Sequence, residues 1–446
     1  MRFSKLIRYA LTVGGAAALL AACGTLRQSQ IDMPSINAPD ATSQSATVAP
    51  DRARGGATAL SQAYKVLYRF HLERGVGSGQ PSGGLIYGIY GTTQLGGRPG
   101  RGGCCGTVYS ITKSGTYDAL YEFRGEGDGA SPLAGLINVD GVLYGTTSSG
   151  GTSNGGTVYS VTTSGAETVL HSFAGGTDGA FPTTSLFYYD GTDKLYGTTS
   201  QGGSGSGCGS SGCGTVYSIT TGGEENVLYR FKGGSDGATP SSTLIVYTNN
   251  AAARGRVRTL YGTTSYGGGT GCGGSGCGTV YSITTKGQEK VLYAFKGGRD
   301  GSRPEGLDDD RGTLLGTTVA GGTGCKGSGG CGTVYSITPF GSKKAVYNFR
   351  GGSDGACPNG PLIDVSGNAY GTTTCGGGCS TEPCGTVYKI SPNGTEQVLY
   401  RFTNPADGFD PNAPLTSFYP MLYGTTLKGG GAGKGYGHGV IFAVHQ

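Results

Sequence analysis

Short apolar runs of four to seven residues recur along most of the chain, separated by stretches of Gly, Asp, Asn and Ser. The runs are rich in Val, Ile, Tyr, Thr and Phe, a composition typical of β-strands. At Asp140 and Gly141, an Asp-Gly pair stands between two such runs. This pair predicts a hairpin, because both central residues of a type I′ turn need positive φ. Each unit of this pattern is predicted to be a four-stranded antiparallel meander, with strands a to d.

Three motifs repeat in the same order, seven times each. The b-strand motif Tyr-Gly-Thr-Thr begins at Tyr90, Tyr144, Tyr196, Tyr261, Tyr370 and Tyr423, with Leu315 in the remaining slot. The c-strand motif Gly-Thr-Val-Tyr begins at Gly106, Gly156, Gly214, Gly278, Gly332 and Gly385, with a degraded copy at Gly439. The d-strand motif ends at Phe70, Phe123, Phe173, Phe231, Phe295, Phe349 and Phe402. A fixed period of about 50 residues indicates an array or a propeller.

The two ends of the repeat region complement each other. The region begins with a lone d strand at 65–70, and its last repeat has a, b and c strands but no d strand. We therefore predict an all-β fold over residues 61–446, a seven-bladed β-propeller of four-stranded antiparallel blades, in which the N-terminal strand completes the last blade. An open β-solenoid is the alternative, but it would carry dissimilar capping repeats.

The motif set resembles the GloVer-type tandem-repeat proteins, a bacterial family of surface-anchored proteins. The resemblance rests on Tyr-Gly-Thr-Thr, the glycine-rich loop that follows it and Gly-Thr-Val-Tyr-Ser-Ile, and it covers residues 62–446. It implies a propeller-like fold and a terminal anchor, but no reaction. The first repeat departs from the pattern, because Leu85 lies only five residues before Tyr90. Its a-to-b hairpin is expected to be pinched.

The N-terminal residues predict export and anchoring. Arg2, Lys5 and Arg8 precede a short apolar stretch that ends just before Cys23, which predicts a signal peptide over 1–22. The residues around Cys23 resemble the bacterial lipobox, in which the cysteine is lipidated, while an ordinary signal peptide with an incidental cysteine is the alternative. Gly24 replaces the aspartate that retains lipoproteins at the inner membrane, so an outer-membrane anchor is expected, on either side of that membrane. Residues 23–60 are interpreted as the lipidated cysteine and a flexible tether.

Composition narrows the function classes. Glycine (92 residues) and proline (18) make up about a quarter of the 446 residues, about twice the usual share, which excludes a helix-dominated protein. The formal charge of +5 falls to +2 once the three basic residues of the signal peptide are removed. Nucleic acid is therefore not expected as a partner. The processed protein is expected to be a monomer.

The cysteines other than Cys23 follow the repeat and predict disulfides in an exported protein. The expected local pairs lie in the b-to-c loops: Cys208 with Cys213, Cys272 with Cys277, Cys325 with Cys331, and Cys379 with Cys384. Cys357 and Cys375 are expected to pair across strands a and b of one blade. Cys104 and Cys105 form either a vicinal disulfide or two thiols. Zinc is the competing interpretation, but structural zinc favours Cys-x2-Cys knuckles joined into four ligands, so neither a metal nor a cofactor is expected.

Few other residues carry recognisable chemistry. An aspartate precedes glycine at six of the crossovers from strand d to the next strand a: Asp128, Asp178, Asp236, Asp300, Asp354 and Asp407. A cation-binding ring is one interpretation, and turns in which each aspartate bonds its own backbone are the favoured one. His171 replaces the tyrosine of a d strand. Asp308, Asp309 and Asp310, and the loop arginines Arg254, Arg256 and Arg258, are expected to be solvated.

Strand direction places the b-to-c loops and the d-to-a crossovers on one face of the propeller. The sequence therefore predicts a binding or scaffold module that presents this cysteine-loop face to a glycan, peptide or protein. An extracytoplasmic carbohydrate-active enzyme, a lyase or hydrolase with its site at the central channel mouth, is the alternative, although no catalytic motif is visible. A cell-envelope spacer without a ligand is the third class.

The anchor generates a direct test. Mass spectrometry of the mature protein is expected to find Cys23 as a diacylated N-terminal residue, because lipidation precedes cleavage at a lipobox. The Cys23→Ser variant is the control and is expected to lack the lipid and leave the membrane fraction. An unmodified N-terminus, with wild-type protein in the soluble fraction, would contradict the anchor.

Overall fold

The computed structural model describes residues 64–73, 76–87, 89–97, 105–190, 192–203, 205–247, 258–310, 312–325, 329–378, 384–431 and 437–446. The predicted signal peptide, Cys23 and tether lie outside these residues. Over the described ranges the chain forms β-strands, turns and five short 3-10 segments, without an α-helix. None of the described helical segments is long and apolar enough to span a membrane.

Thirty strands form seven antiparallel sheets, which are the blades. Blade 1 contains β2 (Leu72–Glu73), β3 (Val76–Pro81), β4 (Tyr90–Gly97), β5 (Thr107–Ile111) and β6 (Tyr117–Glu122). Blade 2 contains β7 (Ile137–Val139), β8 (Val142–Thr147), β9 (Thr157–Thr162) and β10 (Glu167–Ser172). Blade 3 contains β11 (Phe187–Tyr189), β12 (Lys194–Thr199), β13 (Thr215–Thr220) and β14 (Glu225–Arg230).

The remaining blades follow the same order. Blade 4 contains β15 (Ala238–Pro240), β16 (Ile245–Val246), β17 (Thr259–Tyr266), β18 (Thr279–Thr284) and β19 (Glu289–Ala294). Blade 5 contains β20 (Ser302–Asp310), β21 (Thr313–Ala320), β22 (Thr333–Ile337) and β23 (Lys343–Asn348). Blade 6 contains β24 (Ala356–Val365), β25 (Asn368–Cys375), β26 (Thr386–Ile390) and β27 (Glu396–Arg401). Blade 7 contains β28 (Thr416–Phe418), β29 (Met421–Thr426), β30 (Val440–His445) and β1 (Tyr64–Arg69).

The ring is closed by the N-terminal strand, as predicted. β1 pairs antiparallel with β30, so the first strand of the domain is the outer strand of the last blade. Seven hydrophobic clusters each combine residues of two neighbouring blades. One of them joins Phe70 and Ile441 of blade 7 to Leu85 and Tyr109 of blade 1. Each blade therefore packs on two others, and the seven-bladed propeller is confirmed.

The repeated aromatic and glycine residues form the contact between blades. The d-strand phenylalanine of one blade packs edge-on against the c-strand tyrosine of the next, as Phe123 does on Tyr159 with ring centroids 4.9 Å apart. That tyrosine ring in turn covers the glycine of Tyr-Gly-Thr-Thr in its own blade. A Cβ added at Gly145 would lie 2.5 Å from the Tyr159 hydroxyl oxygen. The glycine is therefore required by close packing with the tyrosine ring.

The two threonine positions form a second repeated contact inside each of blades 1 to 6. The last threonine of Tyr-Gly-Thr-Thr hydrogen-bonds the threonine that begins strand c, with 2.8 Å between the hydroxyl oxygens of Thr147 and Thr157. Both side chains are fully buried. Mutual bonding satisfies hydroxyls that would otherwise be costly to bury. Blade 7 lacks this pair, because Val440 replaces the second threonine.

Blades 1 and 4 differ from the predicted four strands. The a strand of blade 4 is split into β15 and β16, which both pair with β17. Blade 1 has five strands: β3 pairs with β4 in place of the predicted a strand, and β2 is an additional outer strand. The hydrophobic pattern missed both, because β3 is rich in glycine. The pinched hairpin is present: Ile86 pairs directly with Tyr90, and Tyr87 has a φ of 50°.

The tyrosine and glycine contact generates a paired stability prediction. Gly145→Ala is expected to destabilise the fold by about 1–3 kcal/mol, because the new methyl group overlaps the Tyr159 ring. Tyr159→Phe is expected to leave the stability unchanged or raise it by up to about 1 kcal/mol, because the buried hydroxyl has no hydrogen-bond partner among the described residues. Urea unfolding followed by tyrosine fluorescence measures both variants.

Phe442 supports the expected tolerance, since it occupies the tyrosine slot in blade 7 and packs over Gly424. A loss of several kcal/mol in Tyr159→Phe would show that the hydroxyl has an essential partner. A neutral Gly145→Ala would show that the blade relaxes around the added methyl.

Candidate binding face

One face of the propeller consists of the b-to-c loops and the crossovers, meaning the segments from strand d of one blade to strand a of the next. We call it the loop face. The loops of blades 2 to 7 each hydrogen-bond the crossover that precedes their blade: Gly151 N–H to Glu126 O (2.8 Å), Gly203 to Gly176 (2.7 Å), Gly268 to Gly234 (2.7 Å), Gly322 to Gly298 (2.9 Å), Gly377 to Gly352 (2.8 Å) and Gly430 to Pro405 (2.7 Å). Backbone contacts thus link neighbouring blades along this face.

Disulfides clamp the loops of three successive blades. The structure contains Cys208–Cys213, Cys272–Cys277 and Cys325–Cys331, each inside one b-to-c loop. Each sulfur pair lies against the first glycine of the following crossover, so that a Cβ at Gly233, Gly297 or Gly351 would come within 3.1 Å of both sulfurs. The disulfides therefore stiffen the loops and limit the residue type beside them.

The other cysteine predictions have a mixed outcome. Cys357–Cys375 joins strands a and b of blade 6, where the sequence placed it. Cys105 and Cys384 are disulfide-bonded, but Cys104 and Cys379 lie outside the described residues, so those two pairings stay predictions. Disulfides form and persist in oxidising compartments, which indicates an extracytoplasmic protein.

A cavity of about 430 Å³ opens on the loop face between the b-to-c loop of blade 3 and the crossover from blade 2 to blade 3, which we call the second crossover. Its lining includes Gly175 and Gly176 from the crossover and Gln201, Ser210 and Ser211 from the loop. The volume lies within the range of small-ligand pockets. Because most of the lining is glycine, backbone N–H and C=O groups are the main functional groups available to a ligand.

The crossover aspartates shape the backbone, which supports the turn interpretation. Asp128 accepts the backbone N–H of Arg124 at 2.9 Å and the hydroxyl of Tyr121 at 2.8 Å. Four other crossover aspartates likewise accept a hydrogen bond from the backbone N–H four residues before them: Asp178, Asp236, Asp300 and Asp354. Asp407 accepts the Tyr400 hydroxyl at 2.7 Å. The bonded N–H lies four residues before the aspartate, so the turn is wider than an Asx-turn.

A glutamate from the next blade faces four of these aspartates. The pKa of Glu167 is raised to about 7, mainly by burial and to a smaller extent by the negative charge of Asp128. The same causes raise the pKa of Glu225, Glu289 and Glu396 to about 7, with Asp178, Asp236 and Asp354 as the facing groups. We call these four contacts the carboxyl junctions. Sequence reasoning missed them, because each glutamate begins a d strand with an ordinary polar pattern.

The fifth blade replaces this glutamate with a lysine. Lys343 Nζ lies 2.8 Å from Asp300 Oδ1 and 2.6 Å from the Asp300 carbonyl oxygen. Burial alone would raise the pKa of Asp300, but the Lys343 ammonium and the Lys296 N–H lower it below its ordinary value. One substitution therefore converts a carboxyl junction into an ion pair with the same backbone geometry.

Non-repeated polar residues lie in separate places. Glu305 in strand a of blade 5 is half-buried, and burial raises its pKa to about 8, with Ser265 Oγ 3.4 Å from its Oε1. Asp308 was predicted to be solvated, but this is wrong. It is half-buried and accepts the N–H of Asp364 at 2.9 Å, and burial raises its pKa to about 6.

The arginine loop was predicted to be a solvated tip. Arg258 instead packs its guanidinium over the Tyr189 ring of blade 3, 4.3 Å from the ring centroid. A cation over an aromatic face is attracted by the ring quadrupole, which explains the contact. Arg254 and Arg256 lie outside the described residues.

The fold and the loop face define an extracytoplasmic seven-bladed β-propeller built from tandem repeats. The chain belongs to the Gloeobacter/Verrucomicrobia repeat family, whose model matches residues 56–275 and 209–442. No curated protein matches the sequence.

Solved structures show distant likeness only. A gluconolactonase from Xanthomonas campestris is 14% identical, with a TM-score of 0.36 over 65% of this chain and 78% of its own. A sugar dehydrogenase from Streptomyces coelicolor is 14% identical, with a TM-score of 0.40 over 70% of this chain and 92% of its own. A puromycin hydrolase is 11% identical, with a TM-score of 0.47 over 78% of this chain and 50% of its own. These likenesses carry no argument about activity.

The carboxyl junctions generate a pH prediction. A carboxyl whose pKa is raised by folding binds more protons in the folded state, so stability falls as pH rises from about 4.5 to about 7 and levels off above that window. Thermal unfolding at fixed ionic strength between pH 4.5 and 8.5 is expected to show this decline.

The triple variant Glu167→Gln, Glu289→Gln and Glu396→Gln is expected to have a shallower decline, because three of the titrating groups are gone. Lys343→Gln is the control at the junction without a glutamate and should keep the wild-type slope in this window. A triple variant with the wild-type slope would assign the dependence to other groups, such as Glu305 and Asp308.

Proposed function

We propose that this protein is a binding or scaffold propeller, anchored at the outer membrane through Cys23, which presents its loop face to an extracytoplasmic partner. The observation that carries the proposal is the clamped loop face. Three consecutive glycine-rich loops are held by local disulfides and by hydrogen bonds to the neighbouring crossovers. Recognition usually resides in loops positioned by a rigid scaffold.

Rigidity is the property that matters for binding here. Glycine-rich loops are ordinarily flexible, and ordering them on binding costs free energy. The disulfides close small rings, so they contribute little stability through the unfolded chain. Their effect is to hold the loop backbone in one conformation before the partner arrives, which lowers the entropy cost of association.

The cavity beside the loop of blade 3 supports a polar partner. Gln201, Ser210 and Ser211 add amide and hydroxyl groups to the backbone groups of the glycines. A glycan or a peptide backbone has the hydrogen-bonding groups to match this lining. A protein surface could extend further along the same face, over the loops of blades 4 and 5.

The enzyme alternative would require polar side chains that converge on a substrate. Among the described residues, Glu305 is a half-buried carboxyl without a repeat equivalent, and its neighbours are Ser265 and Arg303. Glu305, Ser265 and Arg303 together do not indicate a particular reaction. We therefore keep binding as the proposed function and use the experiment below to detect catalysis as well.

The test is a glycan and peptide array probed with the purified, oxidised chain, followed by titration with the best ligand. The double variant Ser210→Tyr and Ser211→Tyr fills the mouth of the cavity with bulky side chains at two exposed positions. It is expected to weaken binding at least about tenfold while the thermal midpoint stays within a few degrees, because neither serine contributes to the core.

Thr163→Tyr provides the matched control, since Thr163 is exposed in the c-to-d turn on the opposite face. It is expected to bind as the wild type does. Equal loss in both variants, or none in the serine variant, would remove the cavity from the binding site. Turnover of an arrayed glycan or peptide would favour the enzyme alternative.

A further inference from the structure

The contact between blades 2 and 3 differs from its equivalents at one residue, His171. At the equivalent position the other crossovers use a tyrosine, whose hydroxyl donates to the crossover aspartate at 2.7–2.8 Å: Tyr121, Tyr229, Tyr293, Tyr347 and Tyr400. His171 Nε2 instead lies 3.2 and 3.3 Å from the two carboxylate oxygens of Asp178. The His171 imidazole nitrogen thus takes the position that a tyrosine hydroxyl oxygen occupies at the equivalent contacts.

Glu225 from blade 3 completes a set of three ligand atoms. One atom each from His171, Asp178 and Glu225 lies within 4.8 Å of the other two. Glu225 Oε1 is buried and has no hydrogen-bond partner among the described residues. Asp178 Oδ2 already accepts the backbone N–H of Ala174 at 2.7 Å, which fixes the carboxylate with both of its oxygens near the imidazole.

We propose that His171, Asp178 and Glu225 form a binding site for a divalent transition-metal cation, for which Zn²⁺ is the fitting probe. One imidazole nitrogen and two carboxylate oxygens are a donor set that Zn²⁺ accepts. Tetrahedral bonds of about 2.0–2.2 Å place ligand atoms about 3.3–3.6 Å apart. The observed 3.2 Å between His171 Nε2 and Asp178 Oδ1 is close to this spacing, and the Glu225 oxygen, which lies within 4.8 Å of both atoms, has to move closer to them when a metal binds.

The fourth coordination position would face solvent. The side chains of His171 and Asp178 are each 22% exposed, so a water molecule or a ligand atom can reach the ion. The T-shaped contact of the His171 ring with Phe173, at 4.8 Å between centroids, holds the imidazole plane. A site of three protein ligands and an open position is typical of zinc that binds water or a small ligand.

A direct contact between His171 and Asp178 without a metal is the competing arrangement, and it resembles Lys343 with Asp300. The two junctions differ in the number of carboxyl groups, because Lys343 takes the place of the glutamate, whereas Glu225 is retained beside His171. The Arg230 guanidinium is a positive charge that acts on Glu225, and it donates its Nε–H to the Thr177 carbonyl oxygen at 2.8 Å. Two carboxyl groups and one imidazole therefore share the site, and a divalent ion balances that charge better than one proton.

The metal would connect two blades beside the cavity. His171 is the next-to-last residue of the d strand of blade 2, Asp178 belongs to the crossover from blade 2 to blade 3, and Glu225 begins the d strand of blade 3. The second crossover also supplies Gly175 and Gly176 to the cavity lining. Binding would therefore hold that crossover in place independently of any organic partner.

The test is metal binding by the oxidised full chain, stripped with EDTA and dialysed. Calorimetry with Zn²⁺ at pH 7.5 is expected to give one ion per chain, and Co²⁺ is expected to give visible absorption bands of a low-coordinate site. His171→Tyr restores the residue found at the equivalent positions, so folding should persist, and its Zn²⁺ affinity is expected to fall at least about tenfold. Zn²⁺ should raise the thermal midpoint of the wild type but not of this variant.

A gain-of-site variant provides the matched control. Tyr229→His places an imidazole between Asp236 and Glu289, the equivalent pair one blade later, and is expected to raise the stoichiometry to two ions per chain. Glu225→Gln should lose the Co²⁺ bands. The proposal is overturned if the wild type binds no Zn²⁺, or if His171→Tyr binds Zn²⁺ as the wild type does.

Discussion

The ring depends on one aromatic contact that is repeated between every pair of neighbouring blades. The d-strand phenylalanine of each blade packs edge-on against the c-strand aromatic ring of the next, with centroids 4.9–5.5 Å apart at all seven contacts. Edge-to-face pairs are favourable because the positive ring edge meets the negative face. The seventh contact, Phe70 on Tyr109, joins the N-terminal strand to blade 1, so the same interaction that builds the blades also closes the ring.

This contact explains why the repeat motifs tolerate so little change. The c-strand ring occupies the space above the b-strand glycine, so a side chain there would displace the ring from the phenylalanine of the preceding blade. The threonine pair beside it satisfies its own hydroxyls, so the core needs no water at that point. Blade 7 uses Phe442 in place of tyrosine and keeps the packing, which shows that the ring matters more than its hydroxyl.

A core held in this way leaves the junction side chains free to vary. The position that begins strand d is glutamate in blades 2, 3, 4 and 6, lysine in blade 5 and tyrosine in blades 1 and 7. In blades 2 to 6 the residue opposite it is a crossover aspartate whose place is set by a backbone hydrogen bond. The same backbone arrangement therefore holds a carboxyl pair, an ion pair, or an imidazole with two carboxyl groups, depending on the blade.

The sequence by itself determined the strands, their order, the sevenfold repeat and the closure by the N-terminal strand, because these follow from alternation, turn residues and motif order along neighbouring positions. It also placed Cys208 with Cys213 and Cys357 with Cys375, since pairing within a loop or hairpin is a local matter. The tertiary structure alone decided which charges meet. His171 and Glu225 are far apart in the chain and come together because blades 2 and 3 pack side by side, and Asp308 is half-buried because the backbone of blade 6 covers it. Such contacts depend on the rotation between blades and the reach of each side chain, and no pattern within one repeat encodes either of these.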